Sequence, residues 1–170
     1  MMLSMTDSPT THEKLLALLD GRGVAYRLIE HEAEGRSAFI SRIRGNHPSQ
    51  ALKALVVSVR GGGHGRRTVL AVVPGNRALD MKGLLAALGA QKGRFAPPDL
   101  ATEMTGCLMG AVPPFSFRDD LVVLADPAIR DNTEVCFNAG RLDRSIFMAR
   151  DDYVAVVDPL FASIAESASA

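Results

Sequence analysis

The chain has 170 residues, 47% of them hydrophobic and 22% charged, enough length and apolar content for one domain with a sizeable core. Nineteen basic and nineteen acidic residues cancel, which excludes an overall field for holding a nucleic-acid duplex and leaves RNA contact to local patches. No apolar run approaches the roughly 18 residues of a membrane span, and residues 1–10 lack the charged and apolar regions of a secretory leader, so a cytoplasmic protein with no membrane partner is expected.

Residues 1–10 are polar and read as a flexible N-terminus ahead of a single domain over residues 11–166. Thr11 is placed to cap a first helix carrying the apolar stripe Leu15, Leu16, Leu18 and Leu19, with Gly21 and Gly23 ending it. Alternation predicts a strand over Val24–His31, and Ser37 opens a short helix that runs through Ile43 and stops at Gly45. Two β-rich runs, Lys53–Val59 and Thr68–Val73, flank RGGGHGRR and predict a hairpin with a loose glycine loop. Helical spacing over Asp80–Leu88 ends at Gly89, and a further helix starts in APPDL, with Pro98 suited to its first turn and Gly106 as its stop. Leu121–Leu124, Glu134–Phe137 and Ser145–Ala149 read as short strands. Asp151 is placed to cap a terminal helix that Asp158-Pro159 interrupts before it resumes over Leu160–Glu166. Hairpins without strict βαβ alternation predict an α+β domain around a mixed, strongly curved sheet.

Several chemical constellations can be set aside. GGGHG at residues 61–65 is followed by Arg66, Arg67 and a strand, so it lacks the Lys-Ser/Thr and helix of a phosphate loop and reads as a hairpin tip. The four histidines, His12, His31, His47 and His64, form no metal-binding pair; no metal or cofactor is expected. Cys107 and Cys136 fit no C-x-x-C pattern and read as two reduced, buried thiols. No G-x-S-x-G elbow marks a nucleophile.

Three stretches remain. Only four of the nineteen cations are lysines, and one of them, Lys53, leads the strand face of Leu55, Val57 and Val59. A lysine there either snorkels out to water or meets an anionic or carbonyl oxygen, to which it offers a point charge. In Phe137–Ile146, Gly140 implies a turn with Asn138, Asp143 and Ser145 around it, as turn chemistry or as part of a binding site. The loop GCLMGAVPPFSF, Gly106–Phe117, is too glycine- and proline-rich for helix or central strand, yet unusually apolar; it plugs a core or walls a pocket.

Together, Ala51-Leu52-Lys53-Ala54-Leu55-Val56, the block from Thr105 to Phe115 and the block from Phe137 to Ile146 resemble, in order and spacing, the YbaK family. These are freestanding relatives of the editing domain inserted in bacterial prolyl-tRNA synthetases. Val73-Pro74-Gly75-Asn76-Arg77 adds a fourth match, and the resemblance spans about Thr11 to Phe161. It implies an α+β single domain with a curved, barrel-like mixed β-sheet flanked by helices. It also implies trans-editing hydrolysis of the ester joining a wrong, small amino acid to the 3′-terminal adenosine of tRNA. The functional lysine falls on Lys53 and the substrate loop on Gly110, Ala111, Val112, Pro113 and Pro114, with Met109 beside it. His31, Asn138, Gly140, Asp143 and Ser145 are carried over as pocket neighbours, Asn138 lying where another branch has histidine. The implied partners are the 3′ CCA end of aminoacylated tRNA and, as a candidate, a synthetase, with Arg42, Arg44, Arg66, Arg67, Lys92 and Arg94 as cations for the tRNA body. The alternative is a non-catalytic module of the same fold that binds a tRNA end, a nucleotide or a synthetase.

Overall fold

A computed structural model describes residues 8–167. The flexible N-terminus expected over residues 1–10 therefore lies largely outside the described residues. Thr10, not Thr11, caps the first helix, α1 (Thr11–Gly21): its hydroxyl accepts from Glu13 N while the Glu13 carboxylate accepts from Thr10 N. Thr11 is instead the first helical residue, buried, with its hydroxyl donating to Thr105 O at 2.6 Å.

The elements then follow as β1 (Tyr26–Glu30), α2 (Ser37–Arg44), β2 (Leu52–Arg60), β3 (Arg66–Pro74), α3 (Met81–Leu88) and β4 (Lys92–Phe95). After these come α4 (Pro98–Thr105), β5 (Leu121–Ala125), β6 (Glu134–Arg141), β7 (Arg144–Ala149), α5 (Arg150–Val157) and β8 (Leu160–Phe161). The glycine stops behave as expected: Gly45, Gly89 and Gly106 all take the left-handed conformation that ends α2, α3 and α4.

The expected curved sheet is divided in two and does not close into a barrel. A five-stranded mixed sheet runs β4-β2-β3-β5-β8, and a three-stranded antiparallel sheet runs β1-β7-β6. A single parallel bridge, Ala51 to Cys136, joins them where β2 begins. Both faces of the five-stranded sheet are covered. Leu52, Val56, Leu70 and Val72 face the main core with α1, α4 and the 106–117 loop, while Val57, Val59, Val69, Ala71 and Val73 pack under Leu84 of α3 and Ile164. Such two-sided burial explains why β2 and β3 read as nearly continuous apolar runs.

Three further expectations change. Gly140 does not make the β6–β7 turn; Leu142 and Asp143 do. Gly140 sits instead at an irregularity in the strand pairing, with φ 82°, where a Cβ would come within 2.9 Å of His12 N on α1. Asp151 lies inside α5, behind the cap position at Ala149, and Asp158 ends that helix in the left-handed conformation. The chain beyond it does not resume as helix. Leu160–Phe161 pairs in parallel with β5, and the next residues are held by buried Asp126, which accepts from Ile164 N and Ala165 N. Two satisfied backbone donors on one buried carboxylate outweigh the helical propensity of that segment.

Candidate functional site

The start of β2, α2 and the 106–117 loop enclose a cavity of about 440 Å3. Its walls are mainly apolar, from Ile40, Leu52, Val56, Ala101 and Val112, and its polar side chains are Ser37, Arg44, Lys53 and Asn138. That composition, an apolar cup with a few converging polar groups, is that of a small-molecule site.

Two cations share this cavity. Lys53, half-buried, makes no hydrogen bond or ion pair among the described residues, and desolvation pulls its pKa below the usual lysine value. Arg44 has no carboxylate partner either. Its Nε donates to Asn46 Oδ1 at 3.0 Å and its Nη1 to Asn138 Oδ1 at 3.3 Å and Ser145 Oγ at 3.2 Å, while burial lowers its pKa. Positive charge without an acid in an apolar cup is costly unless a ligand oxygen answers it.

Behind the cavity wall runs a polar relay. Asn138 Nδ2 donates to Gly110 O at 2.7 Å and to Glu34 O at 3.2 Å, tying β6 to the loop and to the segment before α2. Its Oδ1 lies 3.1 Å from Ser145 Oγ, which is fully buried. His31 Nδ1 donates to Glu32 O at 2.7 Å, which in the neutral ring leaves Nε2 as an acceptor 2.7 Å from Ser145 Oγ. Ser145 thus has one proton for two acceptors, Asn138 Oδ1 and His31 Nε2, while it accepts from Arg44.

The 106–117 loop is plug and wall at once. Ala111, Pro113, Pro114 and Phe115 are buried, and the Phe115 ring meets Tyr153 edge-on at 5.3 Å between centroids. The Tyr153 hydroxyl donates to Pro114 O at 2.7 Å, and Gly140 N to Ala111 O at 3.0 Å. Met109, 65% exposed, stands at the cavity mouth, with Gly110 and Val112 on its wall. Gly110 has φ 89°, and a Cβ there would lie 2.8 Å from Gly35 Cα, so two glycines pass back to back. The Gly110 N–H finds no acceptor among the described residues.

Of the residues expected from sequence, Lys53, Met109, Gly110, Val112 and Asn138 line the cavity, and Ser145 and His31 stand behind Asn138. Ala111, Pro113, Pro114 and Gly140 support the loop from below. Asp143 is on the hairpin turn, paired with Arg141 at 2.9 Å and Arg144 at 3.0 Å, and does not line the cavity. Cys107 and Cys136 are buried, and burial pushes both thiols up, Cys136 to about 11. No group of three or more His, Cys, Asp or Glu among the described residues is placed to hold a metal.

Sequence reasoning misplaced Arg44 among the surface cations. A usable signal was present: Arg44 is four residues after buried Ile40 and so shares the inward face of α2. Phe95 and the strand that carries it left no such signal, because KGRF is short and polar.

The fold and cavity define a pocketed α+β domain with two cations and no acid in its cup. Residues 36–156 match the aminoacyl-tRNA editing domain, and the chain belongs to that family. It is 38% identical over 159 residues, 93% of this chain and 95% of the relative, to the Escherichia coli (strain K12) protein named multifunctional Ser/Thr-tRNA deacylase ProXp-y. Among solved structures, the hypothetical protein APE2540 superposes with TM-score 0.81 at 22% identity, covering 91% of this chain and 100% of that one. A second, described as a candidate trans-editing enzyme for prolyl tRNA synthetase, superposes with TM-score 0.77 at 23% identity, covering 98% and 100%.

Proposed function

We propose that this protein is a trans-acting hydrolase that frees a small amino acid from the 3′-terminal adenosine of mischarged tRNA. The observation that carries the reading is the cavity itself: in a member of the editing-domain family, Lys53 stands without an acidic partner beside the Gly110 loop. An aminoacyl ester is already activated, so the protein has to seat it, polarise its carbonyl and admit water. Water adds to the acyl carbon, the bond from that carbon to the ribose oxygen breaks, and the departing oxygen takes a proton. The vicinal ribose hydroxyl assists this transfer, so no protein nucleophile is required. Lys53 supplies positive charge to the carbonyl or the terminal phosphate, and the free Gly110 N–H is a second donor for developing oxyanion charge. Asn138, braced by Arg44 and Ser145, fixes the Gly110 peptide in place.

Specificity follows from walls that cannot yield. Leu52 and Val112 belong to the packed core, and Gly110 is locked against Gly35, so bulky side chains are excluded by shape. Small amino acids are admitted, serine and threonine foremost, because the Ser37 and Asn138 side chains offer hydrogen bonds to a hydroxyl. The relative named as a Ser/Thr-tRNA deacylase supports that preference. A panel of tRNAs charged with alanine, serine, threonine, leucine and phenylalanine tests it. Release of the small residues with leucine and phenylalanine retained is expected; release from no member refutes the assignment.

A further inference from the structure

Residues from both faces of β2 line the cavity, and one of these faces turns cationic within one strand length. Leu52, Ala54 and Val56 of β2 share a face with Ser58 and Arg60, since side chains alternate along a strand. Residues directly opposite in the antiparallel ladders share it too: Arg66 of β3 and Lys92 of β4 face Arg60, and Arg94 faces Ser58. All four cations are exposed, and together with Ser58 they line a groove of about 340 Å3. None of them forms an ion pair among the described residues, although like charges directly opposite one another destabilise a sheet. A neutral chain has thus gathered four unanswered cations on one face. Phe95, opposite Val57 in the ladder, belongs to the other face of β4 from these cations; at the sheet edge it lines the cavity, is 56% exposed and packs against no other ring.

We propose that Arg60, Arg66, Lys92 and Arg94 form a phosphate track for the single-stranded 3′ end of the RNA, with Phe95, across the sheet edge from them, as a stacking platform for a base entering the cavity. The proposal rests on the reading of the cavity as an aminoacyl-RNA site. From Val56 to Arg60 is about 13 Å at roughly 3.3 Å per residue, the length of a few nucleotides and too short for a duplex face. Cations that track a backbone and an exposed aromatic ring where the track ends are the elements by which single strands are held. Arg67 is excluded: it faces the other side of β3 and donates to Leu88 O.

The test is binding of a short labelled oligoribonucleotide ending in CCA and carrying no amino acid, measured against salt with the full chain. Arg60→Gln combined with Lys92→Gln should weaken binding and flatten the slope of log K against log salt by about 0.7 per cation removed. Phe95→Ala should weaken binding roughly tenfold with the slope kept, and Arg22→Gln, on exposed helix-end surface, should change nothing. An unaltered slope in the double variant overturns the proposal. So does equal competition by blunt duplex RNA or by vesicles of anionic lipid. Wild type that binds the strand but releases no amino acid from any charged tRNA refutes the hydrolase reading and leaves the track standing. Hydrolysis together with unaltered binding by the groove variants refutes the track alone.

Discussion

At the scale of single residues, Lys53 is a charge held at a cost to stability. Its ammonium is partly desolvated and unpaired, so the folded state binds that proton less tightly than the unfolded chain does. The unfolded state therefore carries more protons between the lowered pKa and the usual lysine pKa, and stability attributable to this residue rises with pH across that window. Lys53→Met should accordingly be more stable than wild type near neutral pH, with the gap closing as the pH nears the usual lysine pKa. Denaturant midpoints over that range check it, and a variant less stable than wild type at neutral pH contradicts the account of Lys53. Ser145 is the opposite case. It is fully buried and serves Arg44, Asn138 and His31 at once, so Ser145→Ala should cost about 1–3 kcal/mol in unfolding experiments.

At the scale of elements, the 106–117 loop draws its rigidity from its neighbours rather than from its prolines alone. Tyr153 on α5, Gly140 on β6 and Asn138 on β6 each bond one of its backbone groups. Tyr153→Phe removes the donor to buried Pro114 O and should cost about 1–3 kcal/mol. Gly110→Ala adds left-handed strain of about 1–2 kcal/mol to a clash with Gly35, and should depress activity more than the change at Tyr153 does. Thermal melts and single-turnover rates on the two variants separate the effects. Elements with local signals were legible in the sequence: the glycine stops of α2, α3 and α4, and the β2–β3 hairpin. Those decided by partners far along the chain were not. Residues 160–166 have helical composition, yet β5 and Asp126 draw them out as extended chain. Gly140 reads as a turn because nothing nearby reveals that α1 presses against it.

For the whole molecule, the cavity lies where the two sheets meet, beside the bridge from Ala51 to Cys136. Each sheet contributes what the other lacks: Lys53 comes from the five-stranded sheet, Asn138 and Ser145 from the three-stranded one. Part of this candidate site was readable from motif blocks, namely Lys53, the glycine loop and Asn138. Arg44 and Phe95 were not, because their importance comes from burial in one case and exposure in the other. Arg66, Lys92 and Arg94 were expected as cations for tRNA, but that the β2, β3 and β4 registers bring them together with Arg60 was not legible in the sequence.

The central claim is that Lys53 and the cavity around it hydrolyse aminoacyl-tRNA. Its most direct test is the single-turnover release of serine from mischarged tRNA by wild type and by Lys53→Ala, with folding of the variant verified by its melt. Loss of roughly 100-fold or more is predicted, the scale set by removing one donor to a developing oxyanion. Equal release by a folded Lys53→Ala protein would contradict it.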